Sequence, residues 1–264
     1  MWRRSTGPRL ASQGRLRYNI AMSSTETYQH KRLKCGIELG SLHIPGRRTT
    51  AFELRVLAGT AHEPREHLGL ARLVEETIGK GTERRSAKEF SNALDIIGAQ
   101  RSSGVGREST VFRCSCLPEF LDPAIELYSE MLHTALFPDE FCRVAVDLAA
   151  QELTALEDDP GEMARKLISP LAYGERLGRH ELGTRESLER IARNEIAGFW
   201  KQWYRPANIQ FVVGGEFDLG RVESQLERLF GQTPGGPAQT DGAALDFSPV
   251  RRHQDKQLEQ QQML

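Results

Sequence analysis

An α+β domain is predicted for residues 33–230, and three observations predict it. The runs "LKCGIELGSLHIP" and "TTAFELRVLAGT" are rich in alternating apolar residues, the signature of strands whose successive side chains point to opposite faces. Longer runs such as "GLARLVEETIGKGT" carry apolar residues three and four apart, the spacing of an amphipathic helix. With 39% apolar residues in a chain of 264, there is enough material to bury a core, in one large domain or two small ones.

The elements follow in order. The first two strand runs are joined by the turn residues "GRR" and are expected to pair with each other. In the next segment Leu70, Leu73, Val74, Thr77 and Ile78 form the buried stripe of a helix. "SAKEFSNALDIIG" predicts a second helix, with Ser86 and Glu89 as a capping box, Phe90, Leu94 and Ile97 as its apolar face, and Gly98 as its stop. "GAQRSSGVGRESTVFRCSCL" reads as another strand pair, turning near Gly104 to Gly106. Helical patterns then run from Pro118 to Thr134, from Pro138 to Asp158, and over 161–173 and 185–203. "NIQFVVGGEF" is a short buried strand and "LGRVESQLERLF" a last helix.

Three spans are expected: a leader at 1–29, a folded domain at 30–231, and a linker with the start of a further domain at 232–264. The first 25 residues hold five Arg and no acid, and lack the apolar core of a secretory signal. They are expected to be a disordered or dispensable leader of a cytoplasmic protein. The same composition describes a mitochondrial transit peptide, which makes the mitochondrial matrix the alternative location. "GQTPGGPAQTDGAA" is rich in Gly, Pro and Thr and builds no core, so the sequence after it is expected to begin a domain that the chain does not complete.

A net charge of -1 gives no electrostatic reason to expect nucleic acid or an anionic membrane as partner. No apolar run approaches the roughly 18 residues that cross a bilayer. Cys35, Cys114, Cys116 and Cys142 make no CxxC pair or zinc-ribbon spacing and read as buried free thiols. "HEPREH" places His62, Glu66 and His67 close together, but its histidines are five apart with Pro64 between them, so one helix does not aim both at one ion.

Charged residues within the first helix carry the functional question. Arg72 precedes Glu75 by three residues and Glu76 by four, within reach of either carboxylate. Alone, that is a solvated surface pair of little energetic consequence. In "PDEFCRVAVDLAAQELTALEDD", however, Val144, Leu148, Glu152 and Leu156 are spaced by fours. That spacing places Glu152 on the packed face, where a carboxylate needs a partner such as Arg72. On that reading Arg72→Ala costs about 2–4 kcal/mol, because it strands a buried charge.

These residues resemble the pitrilysin and insulinase family of inverted zinc metallopeptidases, which includes the mitochondrial processing peptidases. The likeness runs through "GLARLVEETIGKGT", "GAQRSSGVGRESTVF", "YGERLGRHELGTRESLERI" and "FWKQWYRPANIQFVVGGEFD", about residues 30–230. It implies a two-layer fold, a mixed sheet with helices packed mainly on one face. The family's helix carries H-x-x-E-H, and a Glu about 75 residues downstream completes the zinc site. Here Arg72 and Glu76 stand at the two His positions, Glu75 matches the general base and Glu152 the distal ligand. Arg72 cannot ligate, because a guanidinium stays protonated and has no acceptor.

The resemblance therefore implies a catalytically degenerate homologue, with Glu75 a vestigial base and no cofactor expected. The implied role is a subunit that holds extended peptide or supports an intact homologous metallopeptidase. The strand bearing Gln100, Arg101, Ser102 and Ser103 corresponds to the edge where the family takes peptide as an added strand. Two alternatives stay open: an active zinc endopeptidase with an altered site, and a purely structural assembly subunit.

Overall fold

In a computed structural model, the structure describes residues 27–231. Residues 1–26 of the expected leader, and the span 232–264 expected as a linker and the start of a further domain, lie outside the described residues. Six strands form one mixed sheet: β1 (Thr27–Arg32), β2 (Glu38–His43), β3 (Thr50–Val56), β4 (Gln100–Val105), β5 (Thr110–Cys116) and β6 (Ile209–Gly215). Their spatial order is β1-β2-β6-β3-β5-β4, with only β2 and β6 parallel. Eight helices complete the described chain: α1 (Leu70–Thr77), α2 (Ala87–Ile96), α3 (Leu121–Thr134), α4 (Asp139–Glu157), α5 (Pro160–Leu177), α6 (Arg185–Leu188), α7 (Arg193–Trp203) and α8 (Leu219–Phe230).

Period-two patterning decides which face of the sheet is covered. Phe52, Leu54 and Val56 on β3, Phe112, Cys114 and Cys116 on β5, and Ile209, Phe211 and Val213 on β6 all lie in the core. Phe52 stacks on Phe211 at 5.1 Å and takes the edge of Tyr128 from α3 at 5.0 Å. The alternate residues stay on the other face, where Glu53 accepts hydrogen bonds from both Arg55 and Arg113. The result is the two-layer α+β arrangement. All four cysteines are free and buried, as their spacing predicts.

The structure departs from the sequence reading in four places. β2 and β3 do not pair with each other, because β6 lies between them, parallel to one and antiparallel to the other. A partner drawn from more than 150 residues away leaves no trace in the local pattern around "GRR". β1 begins inside the span assigned to the leader; its six residues are all exposed, so main-chain pairing with β2 holds it without any apolar signal. The 185–203 pattern is two helices, α6 and α7, and the 161–173 segment extends to Leu177 across a break at Gly174.

The fourth departure concerns α4. Its buried stripe is Cys142, Ala145, Ala149, Leu153 and Leu156, while Val144 and Leu148 are half exposed. Close packing on α1 favours the side lined by alanines, whose small side chains let the two helices approach. That rotates the line through Val144, Leu148 and Glu152 toward solvent, and the Glu152 side chain is 51% exposed.

Candidate functional site

The site is built on α1, and the chain fixes that helix from its N-terminal end. Leu70, Ala71, Leu73, Val74 and Thr77 are buried, each leucine contributing roughly 1.5–3 kcal/mol by leaving water. Gly69 precedes the helix at φ 104°, a left-handed conformation that favours glycine. The Glu63 carboxylate accepts hydrogen bonds from the backbone N–H groups of Gly69 (3.0 Å) and Ala71 (2.9 Å). It thereby satisfies two of the donors a helix start leaves open. Arg179 donates to the Glu63 carbonyl at 2.6 Å and Ser187 Oγ to the Leu68 carbonyl at 2.7 Å, so the 179–187 loop holds the approach to α1.

With α1 fixed, Arg72 faces three carboxylates. Its guanidinium lies 2.7 Å from Glu76, 3.7 Å from Glu152 and 3.9 Å from Glu75. The structure thus brings together all four residues singled out from sequence. The Glu76 contact is the short one, whereas the other two are longer ion pairs. The buried acid is Glu75, with 8% of its side chain exposed, and not the half-exposed Glu152. Ser103 Oγ on β4 donates to Glu75 Oε1, while Oε2 has no hydrogen-bond partner. Burial pushes the Glu75 carboxyl above the usual range and Glu76 adds to the rise; the Ser103 hydrogen bond and Arg72 oppose it.

This placement corrects the expected weight of Arg72. Its strongest contact is a half-exposed pair four residues apart on one helix, and such pairs contribute little. Arg72→Ala is now expected to cost about 1 kcal/mol, from losing that pair and leaving Glu75 less compensated. Denaturant melts check it, and a loss above about 3 kcal/mol would restore Glu152 as a buried partner.

The donor set does not fit zinc. The guanidinium sits among the carboxylates, where it can only donate hydrogen bonds. Among the described residues, no three His, Cys, Asp or Glu side chains converge as a metal would require. "HEPREH" supplies no substitute: His62 Nδ1 accepts from the Gly59 N–H at 3.1 Å, and its ring meets the Trp203 edge.

β4 ends the sheet beside α1 and α2, with Gln100, Arg101, Ser102 and Ser103 exposed. Arg101 donates to Ser91 Oγ on α2 at 2.9 Å, and Ser103 reaches Glu75, so alternate residues of the strand turn toward the helices. Between β4, α1 and α2 lies a cleft of about 320 Å³ with Glu75, Glu76, Lys80 and Arg101 on its walls and Phe90 and Met131 beneath. β4 is the last strand of the described sheet, and the cleft opens beside it.

Sequence reasoning passed over Glu63, the most perturbed carboxyl of the region. The signal was an acid shortly before a helix start, masked by the two histidines around it. Burial drives Glu63 up to about 8 despite its two backbone donors and the Arg179 charge. A carboxyl raised in the folded state holds a proton that the unfolded chain releases from about pH 4.5 upward. Stability is therefore expected to fall as pH rises from about 5 to about 8 and then level off. Melting temperatures across that range test this, and the slope should flatten in Glu63→Gln; an unchanged slope would place the titration elsewhere.

Comparison with known proteins gives the geometry a context. Residues 39–185 match the model of the insulinase family, Peptidase family M16, and residues 190–263 match that of the peptidase M16 inactive domain. An uncharacterized zinc protease of Rickettsia bellii is 25% identical over 227 residues, covering 86% of this chain and 54% of its own length. The mitochondrial-processing peptidase subunit beta of Caenorhabditis elegans is 22% identical over 205 residues, 77% of this chain and 45% of that protein. The chain thus spans about half the length of the curated relatives it matches. Among solved structures, a peptidase M16 inactive domain from Pseudomonas fluorescens aligns with a TM-score of 0.75 at 17% identity, over 81% of this chain and 53% of that one. Pitrilysin aligns at 0.71 and 17%, over 83% of this chain and 24% of its own.

Proposed function

The chain belongs to the insulinase family, Peptidase family M16, and from that premise we propose that it is a non-catalytic member, holding peptide or supporting an active homologue in proteolysis. The observation that carries this reading is Arg72, whose guanidinium lies within 2.7 to 3.9 Å of Glu76, Glu152 and Glu75. A fixed positive charge there compensates the acids without activating water, which leaves Glu75 with nothing to deprotonate. Zinc is accordingly not a cofactor on this reading.

The partners that follow are an extended peptide along β4 and an intact homologous metallopeptidase subunit. An open sheet edge binds peptide by main-chain hydrogen bonds and needs no catalyst. A cytoplasmic location accompanies this role, the mitochondrial matrix being the alternative. Co-expression with an active M16 homologue followed by size-exclusion chromatography tests the partnership. Co-elution at micromolar concentration supports the accessory role, and separate elution favours an independent one.

The competing reading is an active zinc endopeptidase, which the zinc-protease names of several relatives favour. It requires metal to displace the guanidinium from its carboxylates, so metal content separates the two readings.

A further inference from the structure

α5 runs for 18 residues and, alone among the described α-helices, buries none of them. Of its residues only Met163 packs against the core, and only in part. By comparison, the shorter α3 buries Leu121, Ile125, Leu127, Tyr128 and Leu132. A helix with so little buried apolar surface can open locally while the core stays closed.

What holds α5 in place is mostly polar and lies at the surface. Arg107, in the turn between β4 and β5, sets its guanidinium 4.0 Å from the centre of the Tyr173 ring. Arg65 pairs with Glu175 at 2.8 Å, but both side chains are largely exposed and the pair contributes little. At the end of the helix the chain folds back, and Gly178 lies so near Ser169 and Pro170 that a Cβ there would stand 2.3 Å from Pro170 Cα. That close approach couples Arg179 to α5, so the two move together.

Arg179 is the clasp. It donates to the carbonyls of Thr60 (3.3 Å) and Glu63 (2.6 Å), and α5 itself packs on the short turn Thr60–His62. Glu63 follows that turn, is only 4% exposed, and holds the start of α1 through Gly69 and Ala71. The charged group facing its carboxylate is Arg179, around which stand Glu175, Arg65 and Arg176. His62 turns instead toward Gly59 and Trp203.

Lifting α5 together with Arg179 would bring water to Glu63. A hydrated glutamic acid releases its proton near pH 4.5, whereas burial in the closed form raises that point to about 8. The closed form therefore binds the proton more tightly, and opening releases it to solvent. Rising pH across that interval favours the open form.

We propose that α5 and Arg179 form a flap that lifts from Thr60–His62 as one body, hydrates Glu63 and loosens the start of α1, so that rising pH opens it. Arg107 on Tyr173 is its outer latch. The helix it loosens carries Arg72 and Glu75, which makes the flap a regulator of the site.

Amide hydrogen exchange of the full chain, read by mass spectrometry and corrected for the intrinsic rate at each pH, tests the flap. Residues 160–179 should be at least about tenfold less protected than α3, and their protection should fall a further tenfold or so between about pH 6 and about pH 8. Glu63→Gln should abolish that fall. Arg107→Ala should lower protection in α5 and leave α3 unchanged, and it serves as the second reading should Glu63→Gln not fold. Protection in α5 equal to that in α3 overturns the proposal, as does protection that is independent of pH. A fall that persists in Glu63→Gln, or α5 protection unchanged in Arg107→Ala, overturns it as well.

Discussion

Replacing Arg72 and Glu76 together by histidine is expected to raise the chain's affinity for zinc. Positions 72 and 76 lie one turn apart on the half-buried side of α1 that faces Glu152, so two imidazoles there converge on one ion. The third donor is already placed, because Glu152 reaches to 3.7 Å from the Arg72 guanidinium. The double substitution removes a cation and adds two ligands, leaving Glu75 positioned beside the metal. Zinc affinity should rise at least about a hundredfold, about 2.7 kcal/mol, over the unsubstituted chain. Glu152→Ala in that background should lose about tenfold or more. Isothermal titration at constant pH reads both effects. If the double variant takes up no more zinc than the parent, then α1 and α4 are not spaced as a metal site, and the chain's relation to the active enzymes is one of fold alone.

Gly183→Ala is expected to be the most damaging single methyl addition near the site. Gly183 lies at φ 66°, and a Cβ there would meet the Leu68 carbonyl oxygen at 2.1 Å and the Ser187 hydroxyl at 2.9 Å. Leu68 leads directly into α1, so relief of the clash must displace either the 179–187 loop or the start of the helix. Left-handed strain and the steric overlap together predict a loss of about 3–5 kcal/mol. Chemical denaturation measures it. Because the loop also carries Arg179, whose bond to the Glu63 carbonyl steadies α1, the variant should weaken the pH slope that Glu63 imposes. A loss below about 1 kcal/mol would mean that the loop moves freely and does not fix the helix.

What the sequence made legible follows from the range of each signal. The stripe Leu70, Leu73, Val74, Thr77 and Ile78 is buried as its spacing requires, and the Ser86 and Glu89 capping box forms in full, because both are set within a few residues. Sheet order escaped, since β6 enters between β2 and β3 by a non-local pairing that no local pattern encodes. Glu152 was placed near Arg72 correctly but on the wrong side of α4. Large apolar residues at 144 and 148 suggested the packed face, and the packing chose Ala145 and Ala149 instead. The buried carboxylate was Glu75, which spacing alone shows on the polar side of α1. It becomes buried because β4 closes over it and Ser103 meets it, a contact between segments 28 residues apart.

On the proposed reading a guanidinium stands where the family's active members hold metal, and the zinc content of the purified chain decides it. The chain is purified without chelator, equilibrated with zinc, desalted and examined by elemental analysis. The expected result is well below one zinc per chain, with no difference between the parent and Glu152→Ala. Close to one zinc per chain, lost in Glu152→Ala, would contradict the claim and show that the carboxylates bind metal in spite of Arg72.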